Sequence, residues 1–148
     1  MPVAILTVTL AAATGLGLLW RRHNGRLRTA APSGQHLSAA DFAAVGADAG
    51  TRATLVQFSS SFCSPCRATR QILREVADMI EGVTYVEIDA ESHLDVVQRH
   101  NILRTPTTLV LDHAGSVVVR ASGQPRKADV IAAVGRALQL STTPSATP

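Results

Sequence analysis

Apolar and polar positions divide the chain into stretches of different character. Val3 to Trp20 is an unbroken run of 18 uncharged residues. As a helix it would measure about 27 Å at 1.5 Å per residue, close to the roughly 30 Å hydrocarbon core of a bilayer. Asn24 to Gln35 is polar and carries Gly25, Pro32 and Gly34, the composition of a linker. From Leu37 onward, short β-rich runs alternate with helically spaced ones. Residues 141–148 are rich in Ser, Thr and Pro, which predicts a disordered tail. The expected organisation is an anchor over 3–20, a basic and polar linker over 21–36, a folded domain over 37–140 and the tail.

Within the domain, Ser38 is placed to cap a short helix from Ala39 to Val45, with Phe42 and Val45 on one face. Thr54 to Phe58 reads as a strand. From Ala68 to Ile80 the spacing of Ile72, Leu73, Val76, Met79 and Ile80 predicts a helix, which Gly82 ends. Val83 to Asp89 alternates as a strand. Ser92 is a candidate cap for a helix reaching about His100. Thr107–Leu111 and Val117–Ala121 read as strands joined by the turn Asp112-His113-Ala114-Gly115. A last helix spans about Ala128 to Leu140, with Val130, Ile131, Val134 and Leu138 as its buried stripe. This order predicts an α/β layer architecture with a mixed sheet.

Charge adds an orientation for the first segment. Arg21, Arg22, Arg26 and Arg28 follow it, and no Lys or Arg precedes it. With Trp20 at interfacial depth, the pattern predicts a single-pass membrane helix with the domain in the cytoplasm; an exported domain is the alternative. A cleaved signal peptide fits less well, because the positively charged n-region is missing. The net charge of +3 is mild, and no basic stripe with interleaved aromatics occurs, which excludes a nucleic-acid partner.

The candidate chemistry is Phe62-Cys63-Ser64-Pro65-Cys66. Its cysteines are the only two in the chain, and they lie between a predicted strand and a predicted helix. The nucleophile in disulfide exchange is the thiolate, and a free Cys with a pKa of roughly 8.5 is only slightly ionised at neutral pH. Unpaired N–H groups and the macrodipole at a helix N-terminus favour the negative charge. Cys63, at the helix start, is the expected attacking residue. Cys66, one turn in, is the expected resolving one. Pro65 suits the first turn, where its missing N–H costs little. A zinc site needs four ligands, and His93, His100 and His113 lack the spacing to complete one. A purely structural role is weak, because so short a loop constrains little of the unfolded chain.

Together, Leu55-Val56-Gln57-Phe58, the dithiol motif, Val86-Glu87-Ile88-Asp89, Leu103-Arg104-Thr105-Pro106-Thr107 and Gly123 before a final helix resemble the thioredoxin family over residues 37–140. The resemblance implies the thioredoxin fold, a mixed central sheet flanked by helices. It implies thiol–disulfide exchange with no cofactor beyond the Cys63–Cys66 disulfide. Protein disulfides would be the substrates and an upstream dithiol reductase a partner. Thr105-Pro106 matches the family's cis-proline, which lies beside the dithiol and helps hold an extended substrate. From the residues alone, Pro106 is a plain strand-start proline.

The departures are Phe62 and Ser64, where thioredoxins usually carry Trp and Gly, and Gln57, where they usually carry a buried Asp. Tyr85 stands where many have a Lys near that acid. Gln57 cannot titrate, so the resemblance implies a slower or more specialised exchanger. Phe62, Ser64, Pro65, Thr105, Pro106 and Gln57 are the expected supporting residues. Two other functions are compatible with the sequence. One is an extracytoplasmic reductase of the cytochrome-maturation type, although Asp89 to Ser92 leaves no room for the insertion many of those carry. The other is a binding module whose dithiol does not turn over.

Overall fold

The computed structural model describes residues 2–23, 26–29 and 35–142. In chain order the elements are α1 (Pro2–His23), β1 (Leu27–Thr29), α2 (Ala39–Ala44), β2 (Ala53–Ser59), α3 (Ser64–Met79), β3 (Val83–Asp89), α4 (Leu94–Arg99), β4 (Thr107–Asp112), β5 (Val117–Ser122) and α5 (Lys127–Thr142). The strands form one mixed sheet in the order β1-β5-β4-β2-β3. β2 runs parallel to β3 and antiparallel to β4. β5 is antiparallel to both β4 and β1.

Every residue of β2 is buried, as befits a strand covered on both faces. Its period-2 alternation sends side chains to two cores. Ala53 and Leu55 join Leu73, Val76, Val130 and Val134 beneath α3 and α5. Val56 and Phe58 join Phe42, Ile88, Val96 and Leu109 beneath α2 and α4. Helices therefore cover both faces of the sheet, and the C-terminal end of β2 delivers the chain to the dithiol.

Local chemistry explains the boundaries. Ser38 caps α2 in a capping box: its hydroxyl accepts from the Asp41 N–H, and Asp41 Oδ2 accepts from the Ser38 N–H at 2.8 Å. The β4–β5 turn is built on Asp112, whose Oδ1 accepts from the N–H groups of Ala114 and Ser116. It closes through Gly115 at φ +84°, a conformation that L side chains rarely adopt. α4 starts after His93, not Ser92; the Ser92 hydroxyl donates to Asp89 Oδ2 at 2.6 Å instead. The stripes also differ from the sequence pattern. Met79 and Ile131 are exposed, while Ala77, Ala133 and Ala137 are buried.

The N-terminal expectation requires correction. Residues 2–23 are helical, yet among the described residues no helix is long and apolar enough to cross a membrane. The transmembrane anchor over 3–20 and the single-pass localisation, whether with a cytoplasmic or an extracytoplasmic domain, are therefore withdrawn. The expected linker is also interrupted: residues 27–29 pair with β5 as an edge strand, Leu27 opposite Ala121. The tail expected over 141–148 starts later, since α5 runs on through Thr142; its remainder over 143–148 and the rest of the linker expectation, over 24–25 and 30–34, lie outside the described residues.

Candidate active site

The β2–α3 junction places the dithiol. Ser59 ends β2 and Ser60 to Phe62 turn the chain, with the Cys63 N–H donating to the Ser60 carbonyl at 3.3 Å. Cys63 is the N-cap of α3 and makes no side-chain capping bond. Its sulfur is joined to that of Cys66 in a disulfide, with the Cα atoms 5.2 Å apart. Cys63 is half-buried, whereas Cys66 is 1 % exposed. Ser64 and Pro65 form the exposed first turn, and Phe62 projects beside it, 98 % exposed.

Pro106 precedes β4, the antiparallel neighbour of β2, where Thr107 stands opposite Phe58. The Thr105–Pro106 peptide is cis. The Thr105 hydroxyl is 3.0 Å from that of Ser60, tying this loop to the turn before the dithiol. The Pro106 carbonyl accepts from the Gly123 N–H at 2.7 Å.

Beneath the dithiol lies Gln57, fully buried. Its Nε2 donates to the Cys66 carbonyl at 2.9 Å, and its Oε1 accepts from the Tyr85 hydroxyl at 3.0 Å. The chain Tyr85–Gln57–Cys66 is uncharged throughout. Burial pushes the Tyr85 phenol well above its ordinary range, and the Glu87 charge adds to the effect.

A charged group lies one position along the sheet. Glu87, opposite Gln57 in the β2–β3 register, accepts from Arg70 at 2.6 Å and from the Ser59 hydroxyl at 2.7 Å. Burial works to raise the Glu87 carboxyl, but Arg70 and Ser59 hold it below the ordinary glutamate range. Arg74 lies over the Tyr85 ring, 5.4 Å from its centroid. Of the arginines along α3, Arg67 and Arg74 are exposed and Arg70 is half-buried. From sequence, Glu87 stands only as a position in the β3 motif, and Ser59 carries no assigned role. The available signal was helical spacing: Arg70 is four residues beyond Cys66 and shares its side of α3. Among the described residues, no group of three or more His, Cys, Asp or Glu side chains could hold a metal ion.

A mixed sheet flanked by helices, with a closed Cys-x-x-Cys pair opening a helix and a cis-prolyl bond at the head of the next strand, defines a class of disulfide-bearing α/β domain. Comparison with known proteins makes the assignment specific. The thioredoxin family model matches residues 34–136, and the chain belongs to the thioredoxin family.

Over 71 residues the chain is 37 % identical to human thioredoxin domain-containing protein 2, a match covering 48 % of this chain and 13 % of that protein. Over 77 residues it is 29 % identical to a thioredoxin of Mycoplasma genitalium, covering 52 % and 74 %. Among solved structures, chloroplastic thioredoxin z superposes with a TM-score of 0.54 at 26 % identity, covering 59 % of this chain and 79 % of that one. The chain thus spans only a small part of the human relative and most of the bacterial one.

Proposed function

We propose that this chain is a thiol–disulfide oxidoreductase that reduces protein disulfides, with residues 37–140 as the working unit. The observation that carries this reading is the Cys63–Cys66 disulfide at the start of α3. In the reduced protein, the N-terminal N–H groups of α3 favour the Cys63 thiolate. That thiolate attacks one sulfur of a substrate disulfide. The substrate S–S bond breaks, and one substrate thiol leaves with a proton. Cys66, as thiolate, then attacks the Cys63 sulfur, and the second substrate thiol departs. The dithiol loses two electrons, the substrate gains two, and an upstream dithiol reductase restores the pair.

The supporting residues divide the remaining work. Ser64 and Pro65 build the first turn that brings Cys66 back toward Cys63. Phe62 offers an apolar surface to the substrate, and Thr105 and Pro106 flank the dithiol on the β4 side. Gln57 holds the Cys66 backbone but cannot take its proton. That proton passes to solvent or to the Cys63 side of the exchange, which makes resolution the slower step.

The full chain should reduce insulin disulfides when supplied with dithiothreitol. Cys66→Ser should stall with substrate bound through Cys63, in an adduct that dithiothreitol releases. Insulin reduction surviving in Cys63→Ser would contradict the assignment.

A further inference from the structure

A cleft of about 610 Å³ opens on the β3 side of the dithiol, away from Pro106 and β4. Cys63 and Cys66 both line it, so a group bonded to the Cys63 sulfur reaches into it. Its volume falls within the range of small-molecule sites, roughly 300–1,000 Å³. Its lining is unusually polar for such a site. The Ser59 hydroxyl and the Glu87–Arg70 ion pair belong to it, and that pair supplies a nearly neutral wall in which Arg70 Nε has no hydrogen-bond partner. Two further charged side chains line the same space. Arg67, one helical turn beyond Cys63, is exposed and forms no ion pair among the described residues. Asp89, at the end of β3, accepts from the Ser92 hydroxyl and the Glu91 N–H and forms no ion pair with a cation there.

A cation and an anion in one small cleft beside a reactive sulfur form a complementary pair for a zwitterion. The geometry points to a subsite for the non-reacting half of a low-molecular-weight, amino-acid-derived disulfide, its carboxylate toward Arg67 and its ammonium toward Asp89. This inference rests on the exchange chemistry proposed above and extends its substrates beyond protein disulfides. The balance is the same. Cys63 attacks one sulfur of the small disulfide, one small thiol leaves with a proton, and Cys66 displaces the second. The small disulfide takes up two electrons and two protons, and Cys63–Cys66 closes. A supplied dithiol such as dithiothreitol reopens it.

The test compares cystine, a zwitterionic disulfide of no net charge, with uncharged hydroxyethyl disulfide, using the full chain reduced beforehand and followed through a single turnover. The wild-type protein should prefer the zwitterion by about tenfold in second-order rate, the worth of one charge-assisted contact. Arg67→Glu should abolish that preference and shift it toward cystamine, a dicationic disulfide. The ratio of rates is the readout, so a general change in Cys63 reactivity cancels. Equal rates for the zwitterionic and uncharged disulfides in the wild type, or an unchanged ratio in Arg67→Glu, would overturn the subsite while leaving protein-disulfide reduction intact. Failure to reduce any disulfide, insulin included, would instead remove the exchange chemistry itself.

Discussion

Gln57 is the residue at which this site departs furthest from a titratable design. It is fully buried and satisfied on both sides, as donor to the Cys66 carbonyl and as acceptor from Tyr85. A buried polar group in that state costs little to keep and much to disturb. Tyr85→Phe should leave Oε1 without its donor and lower stability by about 1–2 kcal/mol in urea unfolding. Gln57→Asp should behave differently. It forfeits the donor to Cys66 and buries a carboxyl, so stability should fall by about 1–3 kcal/mol. It also supplies the missing proton acceptor, so turnover of a model disulfide should rise and acquire a titration that the parent lacks. A stable variant with unchanged turnover would show that proton transfer from Cys66 is not limiting. The presence of Gln57 and Tyr85 at these positions was legible in the sequence. That they bond to each other was not, because their contact crosses from β2 to β3.

At the scale of elements, the caps hold the helices at their stations. Asp41 closes the capping box of α2 and also receives Arg99 of α4 at 2.6 Å, so one carboxylate ties two helices together. Burial works to raise its pKa, but the Ser38 N–H, Arg99 and the Ser38 hydroxyl outweigh it, and the carboxyl is lowered from 3.8 to about 2. A carboxyl depressed in the folded state stabilises the fold above its unfolded pKa, and that contribution is lost as pH falls through the folded value. Stability should therefore decline between about pH 4 and pH 2, and Asp41→Asn should flatten that decline while lowering stability at neutral pH. Ser38→Ala should cost about 1 kcal/mol. Ser38 as a cap was readable from sequence because capping is local. The buried stripe of α5 was only partly readable: Ala133 and Ala137 are buried while Ile131 is exposed. Side-chain size pointed one way and the orientation of the helix on the sheet decided the other.

At the scale of the whole molecule, the alternation of strands and helices from residue 37 onward predicted a mixed α/β sheet, and its strands lie within a residue or so of the expected positions. The short turn between β4 and β5 marked them as neighbours, but periodicity records which residues are buried and not that β4 lies beside β2. β1 escaped notice because a three-residue edge strand leaves no period to detect. The N-terminal run departs from its expectation, since among the described residues no helix is long and apolar enough to cross a membrane.

The central claim is that this frame holds Cys63 and Cys66 as a working redox pair. The most direct test is an equilibrium titration of the full chain in dithiothreitol buffers of graded potential, with alkylation reporting the free thiols. The account predicts one reversible two-electron transition involving both cysteines, at or below about −230 mV, the range of thioredoxin and the more reducing glutaredoxins. A midpoint near −120 to −180 mV would make the protein an oxidant or isomerase. The absence of any reversible transition would contradict the exchange mechanism outright.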